Sequence, residues 1–480
     1  MTDLCNALGA VLGSKGLITD SAEFAPHVTD FRGHRTGVAQ AIAFPRSSSE
    51  AAEVLRIAQT HGVPVYPLGG NTGLCYGAVP ELSTERIPGI VVGLSRMTKL
   101  RNVDRAASLM SVDAGMTLAE VHAHAEAAGR KFPLRLGSEG TAQIGGLIAT
   151  NAGGTGVLRY GPMRDQIGGL EVVLPGGRVL RDMDALRKNN TGYDLKHLFI
   201  GSEGTLGLIT GAVLRLQPAI RNSTHAWAAV TDPAAALELL SRLQDRCGNI
   251  IEAFELLNAA EVNCVLDRIS DTRCPFPETP GWSVMIELGS TESAPEAGQA
   301  LQAMLEEVLA TAMEDALVPD ATIAQNAAQA NSIWHIRHSI TEAHKAAGVG
   351  LVHDTAVRNS AVPEFVDSAA TMVARKFPQA RVLVVAHLGD GNVHFTVMFP
   401  HEVWRELHEP DQMTRDVEHA VHDIVTGLGG TISAEHGIGR KLTGELARLG
   451  DPVRLEMMRL IKSAFDPENK MNPGALLPQP

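Results

Sequence analysis

Apolar and polar positions alternate along this chain in blocks of two distinct periods, and the switches between periods mark its elements. Residues 3–12 fit a short helix and 20–37 a loop. From Val38 onward short apolar runs and amphipathic stretches take turns. Ala39–Phe44 predicts a strand stopped by Pro45, and Ser48 or Ser49 can cap a helix over 50–61. Strands are expected at 63–66, 90–92 and 108–112. Thr117 then caps a helix through Ala128 that Gly129 terminates. A strand at 169–174 leads into Pro175-Gly176-Gly177, another spans 208–216, and Pro218 marks a boundary. Over 219–320 glycines are few and helical runs such as 233–244 and 296–309 dominate, and 331–345 also fits a helix. The last of these places Trp334, Arg337 and Thr341 on one face. Helices near 414–426 and 453–464 close the pattern, with no repeat of solenoid period and no low-complexity segment.

The stretch between the helical runs at 331–345 and 414–426 carries the sharpest chemistry. Arg381–Val385 and Phe395–Phe399 are rich in β-branched and apolar residues, and Gly389-Asp390-Gly391-Asn392 is turn chemistry, so a hairpin is expected. Pairing its arms sets His387 opposite His394, about 5 Å apart at Cβ, which suits chelation of one cation. A single strand-end His commonly only hydrogen-bonds a neighbour. Ser433–Gly439 adds a carboxylate and a further imidazole, Glu435 and His436, at an expected strand-to-helix turn. Two His and one Glu with an open position form the ligand set of a catalytic metal site.

Composition narrows the partners. At 480 residues the chain exceeds one core and implies two or more domains. Aromatics are scarce at 4% while glycines number 47, which suits a backbone that approaches a large ligand closely. A net charge of −13 argues against nucleic acid or an anionic membrane surface as the main partner, without excluding a small anionic substrate. The five cysteines are scattered with no metal-type spacing, as in a reducing compartment. The N-terminus lacks a signal-peptide pattern and no run approaches the ~20 apolar residues of a membrane span. A cytoplasmic protein is expected.

Three glycine blocks remain, at 67–74, 137–156 and 201–207. None is a dinucleotide-binding Gly-x-Gly-x-x-Gly or a P-loop. Each taken singly is ordinarily a turn. Together with Thr72, Ser138, Thr141, Thr150, Thr155, Ser202 and Thr205 they offer many accessible amides and hydroxyls, an array suited to a pyrophosphate and the polar edges of a flat cofactor.

Pro67-Leu-Gly-Gly-Asn-Thr-Gly73, the 137–156 block and Gly201-Ser-Glu-Gly-Thr-Leu-Gly207 resemble the flavin-binding signatures of the vanillyl-alcohol oxidase/p-cresol methylhydroxylase family. Trp334-His-Ile-Arg337, His387–His394 and Ala434-Glu-His-Gly437 resemble its FAD-linked branch acting on D-2-hydroxy acids, with D-2-hydroxyglutarate dehydrogenases the nearest likeness. The resemblance runs from about residue 36 to Pro473-Gly474. It implies an α+β fold: a two-subdomain FAD-binding domain over 1–218, and an α+β cap domain with an antiparallel sheet over 219–425. A C-terminal helical segment, 426–480, would return to the flavin.

Carried over by position, the resemblance implies that Gly69, Gly70, Asn71, Thr72, Gly73 and Leu74 hold the FAD pyrophosphate. Ser138, Thr141, Gly145, Gly146, Asn151 and Gly156 would line the diphosphate and isoalloxazine, with Ile209 near the adenosine. Pro67, Gly137, Gly204 and Asn472 complete that set. The 67–74 loop contains no His, so covalent tethering there is excluded and non-covalent FAD is expected. His387, His394 and Glu435 would bind the metal, His436 would act as base, and Arg337, Thr341 and Asn392 would contact substrate. Consecutive residues of an extended chain point to opposite sides, so the roles of Glu435 and His436 are interchangeable at this stage. Zn²⁺ is favoured by the ligand types, with Mn²⁺ or Co²⁺ open.

The implied reaction removes the hydroxyl proton and passes a hydride from C2 to the flavin, with electrons leaving to an external acceptor such as an electron-transferring flavoprotein or a quinone. A flavin oxidase using O₂ and a flavin-free metal hydrolase remain as alternatives. A homodimer is compatible with the sequence, which does not fix the oligomeric state. One departure stands out. Where the D-2-hydroxyglutarate enzymes carry a Lys for the distal carboxylate, this chain has Val352, with Arg358 the apparent substitute.

Overall fold

The computed structural model describes residues 3–81 and 88–478, and the chain divides into two compact units. The first comprises 1–153, 161–219 and 435–480, the second 154–160 and 220–434.

In the first unit Ala39–Ala43 lies parallel to Gly89–Gly93, and Val65–Leu68 lies parallel to the other side of Gly89–Gly93. Leu17–Ile18 adds an antiparallel edge. Gly89–Gly93, the central strand of the three, reads as a continuous apolar run because it is buried throughout. The helix between the first two strands, Ser48–Thr60, is capped by Ser47, one residue earlier than expected: its hydroxyl accepts from the Glu50 amide. The strand expected at 63–66 forms two residues later, at Val65–Leu68. The expected loop 20–37 contains a helical turn at Ala25–Val28. A second, antiparallel sheet runs Leu100–Asp104, Leu109–Asp113, Leu208–Arg215, Ile167–Val173, Val179–Asp182. Thr117 caps its helix as expected, and the structure adds a reciprocal box in which the Glu120 carboxylate accepts from the Thr117 amide. The C-terminal piece is tied in through Val65, whose amide donates to Lys470 and whose carbonyl accepts from Asn472.

The second unit is one seven-stranded antiparallel sheet, ordered Asp320–Ile323, Asn222–Val230, Trp282–Ser290, Ile251–Asn258, Arg381–His387, Asn392–Phe399, Val349–Ala356. Alternation divides its side chains between two apolar layers. Phe254, Leu256, Val384, Ala386, Val393, Phe395 and Val397 pack into one layer together with helices Pro233–Cys247, Val362–Lys376 and Pro410–Gly427. Leu257, Leu383, Val385 and Met398 face the other, beneath Ala259–Leu266, Ala327–His338 and Ile340–Ala347. The last two helices replace the single expected helix at 331–345. The break is at Ser339, whose amide bonds the His335 and Ile336 carbonyls and ends the first helix. Serine competes with the backbone for such bonds and so favours helix ends.

The C-terminal piece of the first unit begins at Glu435, where 426 was expected. Val417, Val421 and Val425 bury the preceding helix in the second unit's core, which holds that stretch with the sheet. The short segment Gly154–Tyr160 also belongs to the second unit: Arg159 and Tyr160 both bond the Glu252 carboxylate, at 2.5 and 2.6 Å.

Candidate active site

The hairpin forms, with a turn tighter than expected. Amides of Asp390 and Gly391 donate to the His387 carbonyl, and Asp390 Oδ1 accepts from the Asn392 amide. Gly391 sits at φ 79°, and a Cβ there would lie 2.1 Å from the Val357 carbonyl oxygen. Because only four residues turn the chain, His387 pairs across from Asn392, and His394 across from Val385. The two His are therefore diagonal on one face instead of directly opposed. Their rings still meet edge to face, 5.3 Å apart between centroids.

Register assembles the rest of that face. Glu255 lies opposite His387, and Asp354 opposite His394. Glu255 Oε1 accepts from His387 Nδ1 at 2.6 Å and Oε2 accepts from Arg337 Nε at 2.7 Å. Glu255 is 1% exposed. Burial alone would push its carboxyl up, but the His387 and Arg337 charges and hydrogen bonds outweigh that and hold it at about 2. Asp354 accepts from Asn392 Nδ2 at 3.0 Å and from the Ala434 amide at 3.1 Å, and stands 3.6 Å from His394 Nδ1. The other Asn392 amide hydrogen goes to the Thr355 carbonyl. Thr341 is exposed and on the second of the two helices, so it does not share a helical face with Arg337. Val352 pairs with Thr396 on the His394 face, two residues from Asp354. Arg358 is exposed and lies past the strand end at Ala356. His353 is buried on the opposite side, against the Phe395 carbonyl and the His422 ring.

Glu255 and Asp354 were not among the sequence candidates. A signal was present: each is a carboxylate within a predominantly apolar stretch of chain, in Ala253-Phe254-Glu255-Leu256-Leu257 and Val349-Gly350-Leu351-Val352-His353-Asp354. A buried acid requires a partner.

Within the first unit the glycine blocks converge. A Cβ at Gly70 would stand 1.8 Å from the Thr141 carbonyl oxygen, one at Gly69 would touch Gly146, and one at Gly204 would meet Pro67 at 2.9 Å. Asn71, Asn151 and Asn472 adopt left-handed backbone, at φ 55°, 51° and 44°. Asn71 Nδ2 donates to the Thr29 carbonyl, and Asn151 Oδ1 accepts from the Arg164 amide. Asn472 Nδ2 donates to the carbonyls of Gly77 and Glu203. At Gly73, Gly137, Gly140 and Gly146 an added Cβ would enter open space. A cradle of close-packed backbone beside open glycine faces fits the diphosphate and ring of FAD. Ile209 is buried on Leu208–Arg215, while Gly156 lies in the segment belonging to the second unit.

The expected strand-to-helix turn around Glu435 is instead an irregular loop between an isolated bridge at Thr431 and the helix from Thr443. Glu203 fixes it: Oε1 accepts from the Ile438 amide at 2.9 Å and Oε2 from the Gly439 amide at 2.7 Å. Burial pushes the Glu203 carboxyl up, and those amides and the Arg440 charge pull against it. Gly439 cannot be replaced without collision, since its Cβ would lie 1.9 Å from the Cys75 carbonyl oxygen. Glu435 Oε1 is 3.8 Å from His436 Nε2.

Gly70→Ala is expected to release FAD and lower the melting temperature of the first unit, because the Thr141 backbone cannot yield to the new methyl group. Purified variant protein carrying a full complement of flavin would contradict this. The cofactor itself is expected to leave wild-type protein intact on acid precipitation; flavin retained by the pellet would overturn non-covalent binding.

Residues 39–182 match the family model described as an FAD binding domain, and 220–476 match FAD linked oxidases, C-terminal domain. A protein of Oryza sativa subsp. indica named probable D-2-hydroxyglutarate dehydrogenase, mitochondrial, is 34% identical, covering 98% of this chain and 81% of that one. A Xanthomonas citri pv. viticola protein named D-2-hydroxyglutarate dehydrogenase is 34% identical, over 96% of this chain and 94% of its own. Among solved structures, p-cresol methylhydroxylase with substrate bound superposes with a TM-score of 0.75 at 14% identity, over 98% and 95% of the two chains. An alkyldihydroxyacetonephosphate synthase gives 0.74 at 18% identity, over 98% and 86%. At those identities the structures speak for the fold alone.

Proposed function

We propose that this chain, which belongs to the FAD-linked oxidase family, oxidises a D-2-hydroxy acid to the 2-oxo acid and passes the electrons to an external acceptor. The observation that carries the reading is the buried sheet face on which His387, His394, Asp354 and Glu255 gather, with Arg337 reaching Glu255 from helix Ala327–His338, within the region matched as the oxidase C-terminal domain. The relatives named for D-2-hydroxyglutarate supply the substrate class.

In this proposal His387, His394 and Glu435 hold one divalent cation, Zn²⁺ by ligand type. When bound, FAD supplies the hydride acceptor and the cation acidifies the substrate hydroxyl. His436 takes the hydroxyl proton as general base. Glu203, by fixing the Ile438 and Gly439 amides, holds the loop that carries His436. Arg337 binds a carboxylate through the guanidinium edge that Glu255 leaves, and Thr341 is a further substrate contact in the same proposal. Asn392 has both amide hydrogens engaged by Asp354 and Thr355, so it contributes its Oδ1. That acceptor suits a hydroxyl hydrogen better than a carboxylate. Pro67 to Leu74, Gly137 to Asn151, Gly204, Ile209 and Asn472 hold FAD. Gly156 belongs to the same proposed set. The acceptor is an electron-transferring flavoprotein or a quinone. A cytoplasmic location and a homodimer belong to the same proposal; among the described residues no helix is long and apolar enough to cross a membrane.

Val352 bears on which acid is preferred. It occupies the His394 face and offers no charge, so a distal carboxylate lacks a charge-assisted hydrogen bond of about 1.5–3 kcal/mol. A D-2-hydroxy acid with a shorter or less charged distal group is therefore the expected substrate. With an artificial electron acceptor, kcat/KM for D-malate or D-lactate is expected to exceed that for D-2-hydroxyglutarate. Val352→Lys should raise the D-2-hydroxyglutarate value by roughly 10-fold or more. Wild type preferring D-2-hydroxyglutarate, with no gain in the Lys variant, would make Val352 neutral.

A further inference from the structure

Glu255 meets two groups with different assignments in the proposed reaction. Its strand, Ile251–Asn258, lies beside Arg381–His387, and register sets it directly across from His387. The same carboxylate is reached from above by Arg337, in the last turn of Ala327–His338. One oxygen accepts from each partner, at 2.6 and 2.7 Å, and both donor side chains are largely out of water. Two donors aimed at two oxygens fix more than a hydrogen-bond count. Nδ1 of His387 must carry the proton it donates, which leaves Nε2 as the nitrogen able to ligate a cation. Nε of Arg337 must face the sheet, which turns the terminal Nη groups elsewhere. The Arg337 cation also balances the buried carboxylate.

We propose that Glu255 is a positioning residue that sets the His387 ring and the Arg337 fork together. The cation-binding end and the carboxylate-binding end of the substrate site would then be held in register by one side chain. This rests on the reading of His387 as a metal ligand and Arg337 as a substrate contact. Asp354 stands in the analogous place beside His394 and bonds Asn392 and the Ala434 amide.

The test is Glu255→Gln in full-length, FAD-loaded protein. An amide keeps the shape but offers its oxygen to only one of the two donors and turns an NH₂ toward the other. Zinc affinity, read by competition with a chromophoric chelator in the absence of substrate, is expected to weaken by roughly 10–100-fold, the usual effect of losing a carboxylate behind a ligand His. KM for the best D-2-hydroxy acid should rise on the order of 10-fold in the same variant. Arg337→Lys serves as the partner measurement: KM rises while zinc affinity stays within a few fold, because the charge beside Glu255 is kept. Zinc affinity and KM both unchanged in Glu255→Gln, or only one of them changed, would overturn the proposal. If the Gln variant does not fold, Glu255→Asp decides in its place, since a side chain one methylene shorter cannot hold both partners at these distances. Wild-type protein that takes up no zinc would refute the metal reading itself, and that result is obtained before any variant is made.

Discussion

His387→Ala is expected to lower turnover by on the order of 10³-fold or more while leaving FAD bound. The loss combines a missing ligand with an orphaned neighbour. Without the imidazole a divalent cation keeps too few protein ligands to stay, and hydroxyl acidification worth several kcal/mol goes with it. Glu255, fully buried, also loses the Nδ1–H that meets Oε1 and is left with Arg337 alone. The flavin-binding residues proposed above lie almost entirely in the first unit, whereas His387 sits in the second unit's sheet. Metal content by elemental analysis, flavin absorbance and steady-state rate on one preparation separate these effects. Treatment with a strong chelator should reproduce the loss, with recovery on adding Zn²⁺. Full activity in metal-free enzyme would remove the cation from the mechanism.

His436→Ala is expected to lower kcat by roughly 10²–10⁴, the range for removing a general base, with metal and flavin contents unchanged. The neighbouring Glu435→Gln should instead lose the metal. The two variants together resolve the ambiguity that consecutive positions create. Metal loss in His436→Ala with a mere rate defect in Glu435→Gln would exchange the two roles. The loop itself should survive either change, because Glu203 secures it through the Ile438 and Gly439 amides and not through these side chains.

Much of the architecture was legible because alternation and capping are local. The Thr117 cap, the Gly129 stop and the hairpin arms each follow from a few adjacent residues. Register is a different quantity. Sliding His394 from opposite His387 to the diagonal position preserves the face, because the shift is two residues, so side-chain pattern alone could not distinguish the pairings. The tight turn at Gly391 decides between them. The break at Ser339 was hidden for another reason. Helical periodicity continues across it, and only the bonds of its amide show that two helices meet there. Glu255 and Asp354 are legible as charged residues in predominantly apolar stretches, yet their partners come from 82 and 80 positions away, Arg337 and Ala434, and contacts of that range have no local signature.

The most direct measurement is anaerobic mixing of the purified yellow protein with a series of D-2-hydroxy acids, followed at the flavin absorbance. The oxidation proposed here predicts that at least one D enantiomer bleaches the flavin, that its L enantiomer does not, and that colour returns quickly with an artificial acceptor and slowly with air. Flavin that stays oxidised with every D-2-hydroxy acid, in metal-replete protein, would contradict it.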